Sequence, residues 1–298
     1  MPRLIVKVNK LNKRKVIPHS LADKGGIIGF VNKGFVFEGE PVPVTDPALG
    51  KWYQDRDGYF YWGEGFIVEQ TALPINLPGM PVNLPANFRL GIDVSHHNAN
   101  PDWNAFKNAG VSFVFIKISE GVGTRDQKAK ENANNARAKG LKIGYYHFCR
   151  PDSRNGGSVI SDATAEANEA LQIMLGLQTP DLPLVLDLEE WGAGKDSPLG
   201  PADYLTWIST FIKTVTDELN KGCIIYSRKN YLEQKLPSNH NLGNIKLWLA
   251  YYPEKPDCNK VAIPKGWSDW SIWQYTEHGA IGGNPQLDIN ILKDSSLF

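Results

Sequence analysis

A charge imbalance, cysteine clusters and long apolar runs are absent from this sequence of 298 residues. Lys and Arg together number 32, as do Asp and Glu, so the formal net charge is zero. Without a basic excess the chain has little with which to neutralise a phosphate backbone, which argues against nucleic acid as the main partner. No stretch approaches the roughly 20 apolar residues of a membrane span, so we expect no membrane insertion.

The three cysteines, Cys149, Cys223 and Cys258, are too few and too scattered for a disulfide framework or a thiolate zinc site. The apolar run at the N-terminus breaks at Lys7, short of the apolar core that a secretory signal needs. If the protein works outside a cell, we expect another export route or a signal that has been removed.

Aromatic residues are abundant, at 11% of the chain with nine tryptophans. Flat amphipathic rings are common where a protein holds sugars, but they also fill ordinary cores. A hydrophobic content of 42% is enough for one large core, or for a large domain and a small one.

Four prolines, at positions 74, 78, 81 and 85, lie within residues 71–87 and predict an extended linker.

Before this linker, residues 1–70 combine short β-type runs with Gly and Pro, which predicts a small all-β domain. The Asp57-Gly58 pair predicts a tight turn between two aromatic-rich strands. This hairpin resembles the SH3-type domains of bacterial cell-wall enzymes, which implies a wall-binding role for the domain. Its rings can form a ligand-binding face or the core of a tiny domain.

From residue 88 to residue 298, strand and helix patterns alternate. Eight strands are predicted, at residues 91–95, 111–119, 142–148, 184–188, 223–227, 246–252, 271–276 and 287–291. The first four precede clear helices, the fifth precedes a short one and the last three precede loops. In the fourth helix, Pro201 marks the start and Gly222 the end. The pattern predicts an α/β fold, an irregular TIM-like β/α barrel, with an open doubly wound sheet as the alternative. The segment GIDVSHHN at the first strand lacks the glycine-rich phosphate loop expected of the alternative.

Acidic residues occupy the predicted strand ends, where β/α barrels carry their chemistry. Asp187 and Glu189 are two apart on one strand, so both project into the same pocket. Repulsion between paired carboxylates raises the proton affinity of one member, and glycosidic cleavage needs one protonated and one ionised acid. Asp93 and Asp288 lie in the first and last strands. The expected substrate-binding residues are Glu120, Tyr145, His147, Tyr226, Trp248, Tyr251, Trp273 and Tyr275.

Several motifs together resemble the family 25 glycoside hydrolases, which are lysozymes of the muramidase type. They are GIDVSHHN, KISEG, GYYHF, Asp187-Leu188-Glu189, WLAYY, WQYT and LDIN, in this order over residues 88–298. The resemblance implies a barrel that cuts the β-1,4 bond between N-acetylmuramic acid and N-acetylglucosamine in bacterial peptidoglycan. By position, Glu189 is the general acid, Asp187 assists at the substrate's N-acetyl group, and Asp93 and Asp288 complete the pocket. We expect no cofactor or metal, a monomer, and action at the bacterial cell wall, extracellular or periplasmic. Water and the N-acetyl group both remain candidate nucleophiles.

Three other functions stay open on the sequence alone. The barrel can bind glycan through its aromatic residues without cutting it. A metal-dependent hydrolase can be assembled from the carboxylates and histidines Asp93, His96, His97, His147 and Asp187. Cys149, near His147 and Arg150, is a conceivable nucleophile.

Overall fold

The computed structural model describes residues 3–20, 22–44, 46–69, 79–98, 100–192, 194–293 and 297. Its contacts divide the chain into two compact units, Met1–Pro74 and Ile75–Phe298. Residues 71–78 of the predicted linker lie outside the described residues.

The first unit is built on one seven-stranded sheet. Its strands are β1 (Arg3–Val6), β2 (Lys10–Arg14), β3 (Ile27–Asn32), β4 (Val36–Val42), β5 (Trp52–Asp55), β6 (Phe60–Trp62) and β7 (Phe66–Glu69). They are arranged in the order β3-β2-β6-β5-β4-β1-β7. In the described part of this unit, the regular secondary structure consists of these strands and two short 3-10 helices, Pro47–Leu49 and Gly63–Gly65. Its small core consists of Leu4, Val6, Leu11, Tyr61 and Phe66.

The predicted turn at Asp57-Gly58 joins β5 to β6, with Gly58 at a φ of +85° that favours glycine. The Asp55 carboxylate accepts hydrogen bonds from the backbone N–H of Asp57 at 3.0 Å and of Tyr59 at 2.8 Å. Tyr61 is buried in the core, whereas Trp62 is 42% exposed. The hairpin therefore supplies rings to both the core and the surface.

The second unit contains an eight-stranded closed barrel. Its strands are β8 (Arg89–Val94), β9 (Val111–Glu120), β11 (Lys142–Phe148), β12 (Val185–Asp187), β13 (Ile224–Arg228), β14 (Lys246–Ala250), β15 (Ile272–Ile281) and β16 (Asn284–Leu292), and a short β10 (Thr124–Arg125) folds back onto β9. Because β8 pairs with both β9 and β16, the sheet closes on itself. The barrel is confirmed, and the open doubly wound sheet is wrong for this chain.

Within the described residues, five α-helices lie between the barrel strands: α1 (Trp103–Asn108), α2 (Ala129–Ala138), α3 (Val159–Leu175), α4 (Pro201–Leu219) and α5 (Lys229–Lys235). Each of the first five barrel strands precedes one of them, as predicted. Short 3-10 helices occupy Leu242–Asn244 and Cys258–Lys260. Pro201 does begin α4, but the helix ends before Gly222, because Asn220 adopts the left-handed conformation at a φ of 51°. No helix within the described ranges has the length and apolar character needed to cross a bilayer.

The last barrel strand runs against its neighbours. Strands β15 and β16 form an antiparallel hairpin, and β16 is also antiparallel to β8. A parallel pair needs a long crossover connection, whereas Gly282 and Gly283 alone separate β15 from β16. The chain therefore reverses direction there.

Alternation along the strands sorts side chains between the barrel interior and the layer beneath the helices. The interior holds a separate apolar cluster that includes Phe113, Phe115, Val185, Ile224, Trp248, Ile272 and Leu292. Two glycines make room for it: a Cβ at Gly91 would lie 2.1 Å from the Phe113 ring, and one at Gly144 would lie 2.2 Å from Phe115. Leu186, Leu188 and the other strand residues that point away from the interior pack in the larger outer cluster, beneath the helices.

The described residues that precede the barrel pack onto it. The backbone N–H of Val82 donates to Pro256 O at 3.0 Å, and that of Cys258 donates to Val82 O at 3.1 Å. Asn83 Nδ2 donates to Asp257 Oδ1 at 2.8 Å. Residues 79–87, which the sequence analysis assigns to the linker, thus belong structurally to the barrel unit.

Candidate active site

The four predicted acids meet in one cavity of 170 Å³ at the end of the barrel where the parallel strands terminate. The cavity is lined by Asp93, Tyr146, Asp187, Glu189, Tyr226, Arg228, Trp248, Tyr252, Gln274, Glu277 and Asp288. An adjoining groove of 860 Å³ shares Glu189, Arg228, Tyr252 and Glu277 with it. We call these two spaces the acid pocket and the side groove.

Backbone contacts with β13 position Asp187 and Glu189. The N–H of Leu188 donates to Tyr226 O at 3.0 Å, and Ser227 Oγ donates to Leu188 O at 2.6 Å. Leu188 is fully buried in the outer cluster. Because its neighbours in sequence point the opposite way, both carboxylates face the acid pocket.

Both acids of this pair hold their protons more tightly than usual. Burial raises the pKa of Asp187 well above its ordinary value, and the nearby charge of Glu189 raises it further. Burial also raises the pKa of Glu189, against the opposing effect of the Arg228 guanidinium. Asp187 Oδ1 is buried without a hydrogen-bond partner among the described residues. The pair can therefore supply a proton to a bound ligand, and one oxygen is available to contact it.

Asp93 and Asp288 form a second coupled pair. Asp93 Oδ2 accepts hydrogen bonds from Asn290 Nδ2 at 2.8 Å and Gln274 Nε2 at 2.9 Å. Burial raises the pKa of Asp93 to about 6 despite these donors. Burial and the charge of Asp93 raise the pKa of Asp288 to about 9. The pair therefore holds one proton near neutral pH, and the two amide donors on Asp93 favour Asp288 as its carrier.

Amide side chains fix the orientation of Asp93. Asn290 Oδ1 accepts from Trp248 Nε1 at 2.7 Å. Gln274 Oε1 accepts from the Tyr226 hydroxyl at 2.8 Å and also from the Tyr252 hydroxyl. These bonds leave the amide nitrogens directed at Asp93, so the network favours its ionised form.

Four predicted substrate-binding residues line neither the acid pocket nor the side groove. Tyr145, His147, Trp273 and Tyr275 are at most 2% exposed and face the layer beneath the helices. The Tyr145 hydroxyl donates to Gln178 O at 2.6 Å, and Trp273 Nε1 donates to Tyr251 O at 2.7 Å. Strand alternation explains their position, because each is next in sequence to Tyr146 or Gln274, which line the pocket on the opposite face of the same strands.

The other predicted binding residues divide between three places. Tyr226 and Trp248 line the acid pocket, and Tyr251 lines the side groove. Glu120 lines neither space, since its carboxylate binds Lys117 Nζ at 2.8 Å and Arg150 Nε at 3.0 Å. Burial would raise the pKa of Glu120, but these two cations outweigh it and lower the pKa.

The histidines do not join the acids of the pocket. His147 contacts Glu166 Oε2 through Nε2 and Ser119 Oγ through Nδ1, each at 2.8 Å. Among the described residues, His147, Cys149 and Glu166 bring possible metal-ligating atoms within 4.8 Å of one another, but this buried group lies outside the acid pocket. His96 Nδ1 contacts Asp126 at 2.8 Å. The ligand set proposed from sequence for a metal-dependent hydrolase therefore does not converge.

Cys149 is poorly suited to act as a nucleophile. Burial raises the pKa of its thiol well above the ordinary value, and the charges of Glu166 and Asp187 raise it further. The reactive thiolate is therefore disfavoured.

Five lining residues are not among the substrate-binding residues predicted from the sequence: Tyr146, Arg228, Tyr252, Gln274 and Glu277. Tyr146 and Tyr252 do belong to the aromatic residues at the predicted strand ends. Tyr146 and Gln274 could have been found from alternation, since Tyr146 is inside GYYHF and Gln274 is inside WQYT. Arg228 and Glu277 belong to no motif that singles them out.

Comparisons with known proteins agree with this geometry. The model of the family described as "Glycosyl hydrolases family 25" matches residues 92–284. Lysozyme M1 of Streptomyces globisporus is 30% identical over 248 residues, which cover 82% of this chain and 78% of that protein. The N,O-diacetylmuramidase of Arthroderma benhamiae is 25% identical, with 74% of this chain and 91% of that protein covered.

Among solved structures, the bacterial lysozyme of Streptomyces coelicolor matches with a TM-score of 0.59 and 28% identity. The match covers 70% of this chain and 94% of that one. The family match spans more than half of the chain, and the motifs, the closed barrel and the converging acids agree with it. This chain therefore belongs to family 25 of the glycosyl hydrolases.

Proposed function

We propose that the barrel hydrolyses the β-1,4 bond between N-acetylmuramic acid and N-acetylglucosamine in bacterial peptidoglycan. The observation that carries this proposal is the Asp187 and Glu189 pair, two acids of raised pKa that line one pocket with Asp93, whose carboxyl group accepts two amide hydrogen bonds. The names of the relatives, a lysozyme and a muramidase, support the same substrate. Action on peptidoglycan would take place at the cell wall, outside the cytoplasm.

In this mechanism Glu189 donates its proton to the oxygen of the leaving sugar. Because burial raises the pKa of Glu189, this carboxyl group keeps its proton to a higher pH than an ordinary glutamate does. Asp187 contacts the substrate's N-acetyl group through Oδ1, the oxygen that lacks a partner within the described residues. This contact orients the group beside the reacting carbon.

Asp93 stabilises the positive charge that develops on the sugar ring as the bond breaks. Gln274 and Asn290 hold its carboxylate in place before substrate arrives. A carboxylate fixed in advance needs no reorganisation during the reaction, which is the general basis of electrostatic catalysis.

Mass spectrometry of the products from purified peptidoglycan tests the proposal. We expect fragments that end in reducing N-acetylmuramic acid, in equal yield with and without a metal chelator. Fragments ending in reducing N-acetylglucosamine, or cut peptides, would contradict the bond assignment. Loss of activity on chelation would instead favour a metal-dependent reaction.

The first unit is proposed to bind the wall. It contains a cavity of 350 Å³ between the cations Lys10 and Arg14 and the rings Trp52 and Trp62. The Arg14 guanidinium donates to Gly25 O at 2.5 Å and lies 5.9 Å from the Trp52 ring. Arg14 and Trp52 are buried and form the base of the cavity, whereas Lys10 and Trp62 are exposed. An exposed cation and an exposed indole ring suit acidic wall peptides or glycans.

Co-sedimentation of the full-length protein with purified walls tests this second role. Trp62→Ala is expected to lower the bound fraction and to leave hydrolysis of soluble wall fragments unchanged. Equal sedimentation of Trp62→Ala and the unsubstituted protein would show that the cavity does not bind the wall.

A further inference from the structure

Arg228 stands between the acid pocket and the side groove. Among the described residues it is the one cation lining the acid pocket, and it lines the groove as well. It ends β13, so its backbone is fixed by pairing with β14. Its side chain is 54% exposed. Its guanidinium lies 5.7 Å from the Tyr252 ring, and its Nη2 is 3.6 Å from Glu277 Oε2.

The guanidinium of Arg228 is not consumed by structural hydrogen bonds. It donates none to the part of the chain that the structure describes, and 3.6 Å to Glu277 is beyond hydrogen-bond distance. The neighbouring Lys229 differs, since its Nζ donates to Glu233 Oε1 at 2.5 Å and to Ile263 O at 3.1 Å. Arg228 is therefore held in place by an ion pair and a ring, with its N–H donors free for a ligand.

The charge around Arg228 argues for an anionic ligand. Five carboxyl groups line the acid pocket, at Asp93, Asp187, Glu189, Glu277 and Asp288. A neutral sugar chain needs no cation at such a site, whereas a sugar that carries a carboxylate would be repelled without one. The planar guanidinium matches a carboxylate with two parallel hydrogen bonds.

We propose that Arg228 is a specificity-determining residue that binds a carboxylate attached to the muramic acid side of the substrate. The proposal rests on the proposed muramidase function and names the feature by which this site selects its glycan. Two sources share this chemistry: the lactyl carboxylate of a glycan without peptides, and an acidic residue of an attached stem peptide. The substrate carboxylate would accept hydrogen bonds from the guanidinium N–H groups of Arg228, which donate none to Glu277.

The test measures kcat and KM of the full-length protein on three soluble substrates. They are wall glycan with stem peptides, the same glycan after an amidase has exposed the lactyl acid, and neutral N-acetylglucosamine oligomers. Arg228→Gln is compared with Lys213→Gln, which removes an equal charge from an exposed pair with Asp217 on α4. We expect Arg228→Gln to raise KM about tenfold or more on a muramic acid substrate. On the pH plateau, where Glu189 is protonated in both proteins, kcat should stay within about twofold. Arg228→Lys should recover part of the loss, because it restores the charge without the planar fork.

The three substrates distinguish the lactyl carboxylate from the carboxylate of the stem peptide. A rise in KM confined to the amidase-treated glycan supports the lactyl acid, and a rise confined to the untreated glycan supports the peptide acid. An unchanged KM on both muramic acid substrates would overturn the role of Arg228. So would a rise in KM of equal size on the neutral oligomers and in the Lys213→Gln protein.

If the unsubstituted protein releases no reducing N-acetylmuramic acid, the proposed function itself fails. Calorimetric titration of the Glu189→Gln protein with muramyl dipeptide and with free N-acetylmuramic acid still tests Arg228 in that case. Equal affinities with and without Arg228→Gln would then reject the carboxylate contact.

Discussion

Asp93 and Asp288 lie directly opposite each other across the antiparallel strands β8 and β16. Like charges at opposed positions destabilise a sheet, and here burial adds to the cost. The pair avoids two charges by keeping a proton on Asp288, whose pKa is raised to about 9. The barrel thus carries an electrostatic cost at the site where it needs a fixed carboxylate.

Asp288→Asn is expected to stabilise the protein at alkaline pH. The folded state binds this proton more tightly than the unfolded chain, whose Asp pKa is about 4. Native stability therefore falls as pH rises from about 4 through about 9, and an asparagine removes that loss. Thermal unfolding should show a midpoint a few degrees higher than that of the unsubstituted protein at pH 9, and a near-equal midpoint at pH 4. A lower midpoint at pH 9 would contradict the proton assignment.

Glu277→Gln is expected to shift the alkaline limb of the pH–rate profile to lower pH. Burial, Asp93 and Glu277 raise the pKa of Glu189, while Arg228 and Lys117 lower it. Removing the Glu277 charge therefore lowers the pKa of the general acid, which then loses its proton at lower pH. The measurement is kcat/KM on soluble wall glycan from pH 4 to pH 9. Glu218→Gln on the outer surface of α4 is the matched control, and an identical limb in both variants would contradict this coupling.

Gly91→Ala is expected to destabilise the barrel by about 1–3 kcal/mol through overpacking. The added Cβ would lie 2.1 Å from the Phe113 ring, which is fully buried in the barrel interior. Gly222→Ala is the control, because a Cβ there meets nothing within 4 Å. Urea unfolding followed by tryptophan fluorescence measures the difference. Equal stability of the two variants would show that the interior can repack around the added methyl group.

Strand and helix patterns were sufficient to predict the barrel and the convergence of its acids. Asp187 and Glu189 line one pocket, as a two-residue spacing on a strand predicts. The same spacing rule separates Tyr146, which lines the pocket, from Tyr145 and His147, which do not. Residue type and position near a strand end select Tyr145 and His147, but neither property fixes the face of the strand on which a side chain lies.

Other features depend on partners that no local pattern reveals. Arg228 ends β13 and Glu277 lies in β15, so their ion pair exists only once both strands have paired with β14. The end of α4 at Asn220 was missed because glycine is the stronger sequence signal for a left-handed residue, and Gly222 is two positions away. The hydrogen bonds from Gln274 and Asn290 to Asp93 join strands that are about 180 residues or more apart in sequence.

The role of Glu189 as general acid is tested most directly by the rate of glycan cleavage in Glu189→Gln. We predict that kcat falls by about 10²–10⁴-fold, because glutamine keeps the shape but has no proton to donate. The circular dichroism spectrum should be unchanged and the thermal midpoint no lower, since the amide removes a buried carboxyl group of raised pKa. Glu218→Gln, the same chemical change on the exposed surface of α4, should retain full activity. A kcat for Glu189→Gln within a few-fold of the unsubstituted protein would contradict the account.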